Sequence, residues 1–148
     1  MSDAGLPVPV LLLTPAARLP ERAYAHDAAW DLYAAEEATL PPLARAVVGT
    51  GIALGLPSHL AALTLPRSGL AARQGISLVN APGLIDPGYR GEVKVILLNT
   101  DTHEAFAVQP GDRIAQLLFL PLTDVALLKA YGLDDTDRGS RGFGSSGR

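Results

Sequence analysis

An all-β sandwich or barrel is the fold class this sequence predicts. Two observations carry that reading. Val, Ile and Leu cluster in runs of four to eight residues, which suits strands rather than long helices. Gly and Pro, at 15 and 12 copies, bound those runs with turn signals. The spacing of such short strands favours a sandwich or barrel. At 148 residues and 48% hydrophobic content, the chain fits one domain with one core.

The elements follow in order. Val8–Leu13 is the first expected strand. Arg45–Leu56 contains VVGTGIALGL, whose small residues and alternation predict a strand passing through a bulge. Further strands are expected at Leu60–Leu65, Ile76–Val79, Glu92–Asn99, Ala105–Val108 and Ile114–Leu120. Only Ser68–Arg73 and Ala126–Tyr131 suit a helical turn or two. The first residues, through Gly5, have little to anchor them. Residues 136–148 are rich in Gly, Ser and Arg, a composition that cannot build a core. The expected organisation is therefore a β domain over residues 1–135 and a flexible arm over 136–148.

Composition excludes several classes. The chain has no cysteine, so disulfides and thiolate metal sites are ruled out. No apolar run is long enough to span a bilayer, and Val8–Leu13 lacks the flanks of a signal peptide. A cytoplasmic home with no membrane partner is the expectation. The formal charge is −3, from 12 basic and 15 acidic residues, which argues against general nucleic-acid affinity. Against that acidic background, Arg138, Arg141 and Arg148 form a cationic tail suited to closing on an anion.

The most informative stretch is GLIDPGYRG at 83–91. Pro87-Gly88 predicts a turn that closes a hairpin, with Asp86 and Tyr89 at its tip. A carboxylate there can deprotonate a water, and a ring can pack on a sugar or base. Around it stand DAAWDLYA (27–34), PRSGLA (66–71), GDRIAQLLF (111–119) and RGSRGFGSSG (138–147). Gly139 to Gly144 has Walker-like spacing, but Ser145 stands where lysine is needed and no strand–helix frame surrounds it.

This ordered set of blocks resembles the trimeric deoxyuridine triphosphatases (dUTP diphosphatases), from about Asp27 to Gly147. The resemblance implies a distorted jelly roll and a homotrimer with shared active sites. It implies Mg2+-assisted hydrolysis of dUTP to dUMP and pyrophosphate, by water attack on the α-phosphorus. Such an activity limits uracil in DNA and supplies dUMP for thymidylate. A dCTP deaminase shares the fold, and a non-catalytic nucleotide sensor is a third reading. The Asp86/Tyr89 turn and the complete arm favour the hydrolase.

The resemblance also implies site roles. Asp86 is the general base, held in a partly dehydrated slot by Leu84 and Ile85. Tyr89 packs under the deoxyribose and leaves no room for a 2′-hydroxyl. Asn80 pairs with the uracil edge beside the main chain of the turn, including Leu84 and Ile85. Arg67, Ser68 and Gly69 cradle phosphates, Gln116 reaches them, and Lys94 is a further contact. Asp31 is linked to magnesium through a water, although Ala29 stands where the family usually has glycine. Arg138, Phe143, Gly144 and Ser145 close the site. Asp112 and Arg113 are expected to hold structure or the subunit interface. His26, His59 and His103 have no metal-ligand spacing.

Overall fold

The computed structural model describes residues 5–142. The strands are β1 (Val10–Leu12), β2 (Trp30–Tyr33), β3 (Ala38–Leu40), β4 (Arg45–Leu54) and β5 (Leu60–Leu65). The single described helix, α1 (Ser68–Gln74), is followed by β6 (Ile76–Leu78) and β7 (Gly83–Ile85). The chain continues through β8 (Glu92–Asn99), β9 (Phe106–Val108) and β10 (Arg113–Pro121). Two antiparallel four-stranded sheets, ordered β1-β4-β8-β6 and β2-β10-β5-β7, form a distorted jelly roll. A small β3-β9 pair closes one end.

Alternation builds the core. On β8, Val93, Val95, Leu97 and Asn99 are buried, while Lys94 faces out. Val93, Val95 and Leu97 join Val48 and Ile52 of β4 and Leu32, Ile114 and Leu117 of the other sheet in one apolar cluster. Asn99 is wholly buried and satisfied: its Nδ2 donates to the carbonyls of Leu40, Pro41 and Glu104, and its Oδ1 accepts from Asp101 N–H. Each bond ties a loop to β8, so a polar residue sits in the core without an orphaned group.

The bulge expected in β4 is present. The β4–β8 register shifts between Gly49 and Ala53, and Gly51 adopts φ 67, a conformation costly for any residue with a Cβ. Two carboxylates hold backbone amides at the bulge. Glu36 Oε1 accepts from Gly49 N–H at 2.5 Å, and Glu92 Oε1 from Gly51 N–H at 3.0 Å.

Four expectations need correction. The first strand is only Val10–Leu12, because Pro9 carries no N–H for the ladder. The strands β2 and β3 were not expected. Residues 83–91 do turn, with Tyr89 N–H donating to Asp86 O at 3.1 Å. However, β7 pairs with β5 while β8 pairs with β4 and β6, so the turn links two sheets rather than closing a hairpin. Ala126–Tyr131 forms no helical turn. Leu127, Leu128 and Tyr131 are 95%, 86% and 95% exposed, so no packed face stabilises so short a helix.

Candidate active site

The first cleft is built on the outward face of β10. Gln116 and Leu118 point the same way along that strand, and Leu65, the partner of Gln116 on β5, lines the cleft with them. Pro66 ends β5, and Arg67 stands in extended conformation at the start of α1 (φ −90, ψ 124). Register brings the rest together: Asp31 of β2 pairs with Gln116, and Arg113 pairs with Tyr33. The resulting cleft of about 460 Å³ is lined by Asp31, Arg67, Ser68, Gly69, Arg113 and Gln116, among others.

Its side chains are pre-arranged. Arg67 Nε donates to Asp31 Oδ1 at 3.0 Å, and Arg113 Nη1 to Asp31 Oδ2 at 3.3 Å. Arg67 Nη1 also donates to the Arg113 carbonyl, and Gln116 Nε2 to the Pro66 carbonyl at 2.9 Å. One half-buried carboxylate thus orients two guanidiniums and leaves a net positive charge among the three. Their remaining N–H donors, with the Ser68 hydroxyl, suit the oxygens of a polyphosphate. Arg113 was expected to serve structure or an interface; instead it lines this cleft. The signal that places it here is strand register, which its own segment does not display.

The second cleft, of about 280 Å³, lies mainly against the outward face of β8. Thr64, Asn80, Leu84, Ile85, Asp86, Tyr89, Glu92 and Lys94 are among its lining residues. A glycine and a main-chain carbonyl fix several of its side chains. Gly83 leaves open the space into which the Thr64 hydroxyl and the Asn80 amide project; any Cβ there would collide with Thr64 Oγ1. Arg90 Nη1 donates to the carbonyls of Pro87 and Tyr89, clamping the turn from outside. Tyr89 OH donates to the Glu92 carbonyl at 3.0 Å, and Glu92 pairs with Lys94 Nζ at 3.4 Å.

The slot expected around Asp86 is not made by this chain alone. Alternation on β7 buries Ile85 and sends Leu84 outward, 65% exposed, so Asp86 itself stands exposed. The two clefts share no lining residue. The expected cradle (Arg67, Ser68, Gly69, Gln116, with Asp31) is assembled in one, and the expected nucleoside site (Asn80, Leu84, Ile85, Asp86, Tyr89, Lys94) in the other. Arg138 joins neither. It folds back in a local turn, donating from Nε to the Arg141 carbonyl at 3.1 Å and accepting from Arg141 Nε at 3.0 Å. Phe143, Gly144 and Ser145 lie outside the described residues. Among those described, no three His, Cys, Asp or Glu side chains gather as a metal cage.

Known proteins resemble this chain over nearly its whole length. The dUTPase family model matches residues 16–147. The deoxyuridine 5′-triphosphate nucleotidohydrolase of Tropheryma whipplei (strain Twist) is 50% identical over 87% of this chain and 88% of its own. That of Mycobacterium marinum is also 50% identical, over 93% of each chain. Among solved structures, Staphylococcus bacteriophage 80alpha dUTPase with dUPNHPP superposes at a TM-score of 0.89, with 29% identity over 96% of this chain and 99% of that one. A mutant dUTPase from phage phi11 of S. aureus, whose structure details coordination of a structural Mg(II) ion, gives 0.80 at 25% identity, over 86% and 98% of the two chains. With its fold and nearly all its length matched, the chain belongs to the dUTPase family.

Proposed function

We propose that this chain hydrolyses dUTP to dUMP and pyrophosphate, as a homotrimer whose copies complete one another's sites. One observation carries the shared-site reading: the residues we assign to phosphate and those we assign to the nucleoside line two separate clefts of one subunit, with no residue in common. A single nucleotide needs both at once, and a neighbouring copy supplies the missing half. The apolar stretch after β10 supports assembly, with Val125, Leu127, Leu128, Tyr131 and Leu133 between 69% and 95% exposed in one chain. The relatives carry the name of the hydrolase, which sets the deaminase and sensor readings aside.

In this reading Asp86 takes the proton from a water attacking the α-phosphorus. The partner cleft and the arm dehydrate it, as buried Ile85 and outward-facing Leu84 do not. Asn80 and the main chain around Leu84 and Ile85 read the uracil edge. Tyr89 walls the sugar against a 2′-hydroxyl, and Lys94 contacts the ligand beside it. Arg67, Ser68, Gly69, Arg113 and Gln116 hold the phosphates. Arg138 adds charge once the arm closes, with Phe143 over the base and Gly144 and Ser145 beside it.

The donor set fits magnesium carried by the triphosphate rather than caged by protein. Asp31 uses one lone pair of each oxygen on an arginine and keeps others for a metal-bound water. Bound there, Mg2+ neutralises phosphate charge. No described helix is long and apolar enough to cross a membrane. The reading carries a cytoplasmic location with it, where deoxynucleotides feed DNA synthesis and removing dUTP limits uracil incorporation.

Product analysis with dUTP and dCTP, with and without Mg2+, tests the reaction. Pyrophosphate release from dUTP alone is expected; ammonia from dCTP would overturn it. Shared sites are tested by refolding together two inactive variants in equal amounts. One is Asp86→Asn with its arm intact; the other keeps Asp86 but ends before Arg138. If each site draws these parts from different copies, about a quarter of the sites regain both. Mixed trimers without recovered activity would exclude that arrangement.

A further inference from the structure

Tyr89 is folded back over its own turn. The space a Gly91 side chain would fill is occupied by the tyrosine ring: an added Cβ would lie 2.5 Å from the phenol oxygen, 2.7 Å from Cζ and 3.0 Å from Cε2. The ring is also pinned at its far end, where its hydroxyl donates to the Glu92 carbonyl at 3.0 Å. That acceptor is itself anchored. Glu92 opens β8, pairs with Ala53 across the bulge, and fastens its carboxylate to Gly51 N–H and Lys94. The tyrosine is therefore held between a fixed acceptor and a missing side chain.

The backbone does not ask for glycine at this position. The described glycines with positive φ are Gly51, Gly75, Gly111 and Gly139, and Gly91 is not among them. A positive φ does not bar alanine there, and the three atoms nearest to an added Cβ all belong to the ring. Because the obstruction is the far end of a side chain that is 47% exposed, the ring can swing away at little cost to folding.

We infer that Gly91 is a positioning residue for sugar discrimination, setting the attitude of Tyr89 by having no side chain, with the Glu92 carbonyl as the second restraint. The inference rests on Tyr89 reading the sugar, as proposed above. A ring displaced from Gly91 no longer stands where a 2′-hydroxyl would meet it. The change falls on selectivity and leaves the general base, the phosphate cradle and subunit stability in place.

The test is Gly91→Ala, with kcat/KM measured for dUTP and UTP and the tyrosine ring followed by NMR of ring-labelled protein. The expected result is a shifted Tyr89 ring signal, an unchanged melting temperature, and a dUTP/UTP preference lowered about tenfold. In the Tyr89→Ala background the same substitution should change the preference no further, since the ring through which it acts is gone. Tyr89→Phe, which loses only the pin, provides a second variant that keeps the glycine; its preference should fall by about twofold to tenfold. An unmoved ring in Gly91→Ala would overturn the positioning role. A moved ring with unchanged preference would instead overturn the sugar-reading role on which it rests. Should Gly91→Ala fail to assemble, a wild-type dUTP/UTP preference in Tyr89→Phe would overturn the restraint by itself.

Discussion

The two clefts are made by different means. The phosphate cleft is an arrangement of side chains: residues from β2, the start of α1 and β10 meet around one carboxylate and two guanidiniums. The proposed nucleoside cleft is an arrangement of local fit, with glycines at 83 and 91 leaving room for neighbouring side chains and main-chain carbonyls pinning those of Tyr89 and Arg90. Charge with adjustable reach suits a ligand of phosphates, whose oxygens present many equivalent acceptors. Rigid shape suits a base and a sugar, where one added group must be refused. The contrast says where each class of substitution should act.

The largest expected effect lies in the nucleoside cleft but concerns chemistry. Asp86→Asn should lower kcat by roughly two to four decades while preserving affinity for a non-hydrolysable dUTP analogue. Near-normal turnover would remove Asp86 from the role of base. Next comes Arg113→Ala, which strips a donor from the charge-built cleft. Affinity for the triphosphate analogue should fall about 10- to 100-fold. Affinity for deoxyuridine should hold, and equal losses for both ligands would dissolve the contrast. Tyr89→Ala should then lower the dUTP/UTP preference by about tenfold or more, with a smaller change in dUTP affinity. An unchanged preference assigns ribose exclusion elsewhere.

The smallest effect provides a control in neither cleft. Asp101 Oδ1 accepts the main-chain N–H groups of His103 and Glu104, and those bonds hold its carboxyl below the usual carboxylate range. A depressed folded-state pKa stabilises above the unfolded pKa, and the contribution is lost as pH falls through the folded value. Asp101→Ala should therefore melt below wild type at neutral pH, with the gap closing on acidification below the ordinary carboxylate range. A gap constant with pH would show that the ionised carboxylate is not the cause.

The same contrast explains what the sequence made legible. Residues of the nucleoside cleft lie mostly within 80–94, so a local motif announced them, and Asn80, Tyr89 and Lys94 do line one space. The phosphate cleft joins positions 31, 67, 113 and 116 through strand pairing, and no local pattern states a register. Arg113 was therefore assigned to structure or the subunit interface rather than to this cleft. Apolar runs such as Leu60–Leu65 and Glu92–Asn99 announced central strands. Trp30–Tyr33 and Ala38–Leu40 escaped notice because short stretches of mixed polarity show no clear period. Ala126–Tyr131 misled in the opposite sense, since its helix-forming residues find nothing in the chain to pack against.

That uncovered stretch has a consequence for the life of a newly made subunit. Five large apolar side chains between Val125 and Leu133 face water in the isolated chain, on a segment without regular secondary structure. Such a segment is what quality-control proteases and holdase chaperones grip. A folded copy that has not met its neighbours would advertise itself for removal, and association would withdraw the advertisement. Lifetime in the cell would then rise steeply with how much of the protein is made.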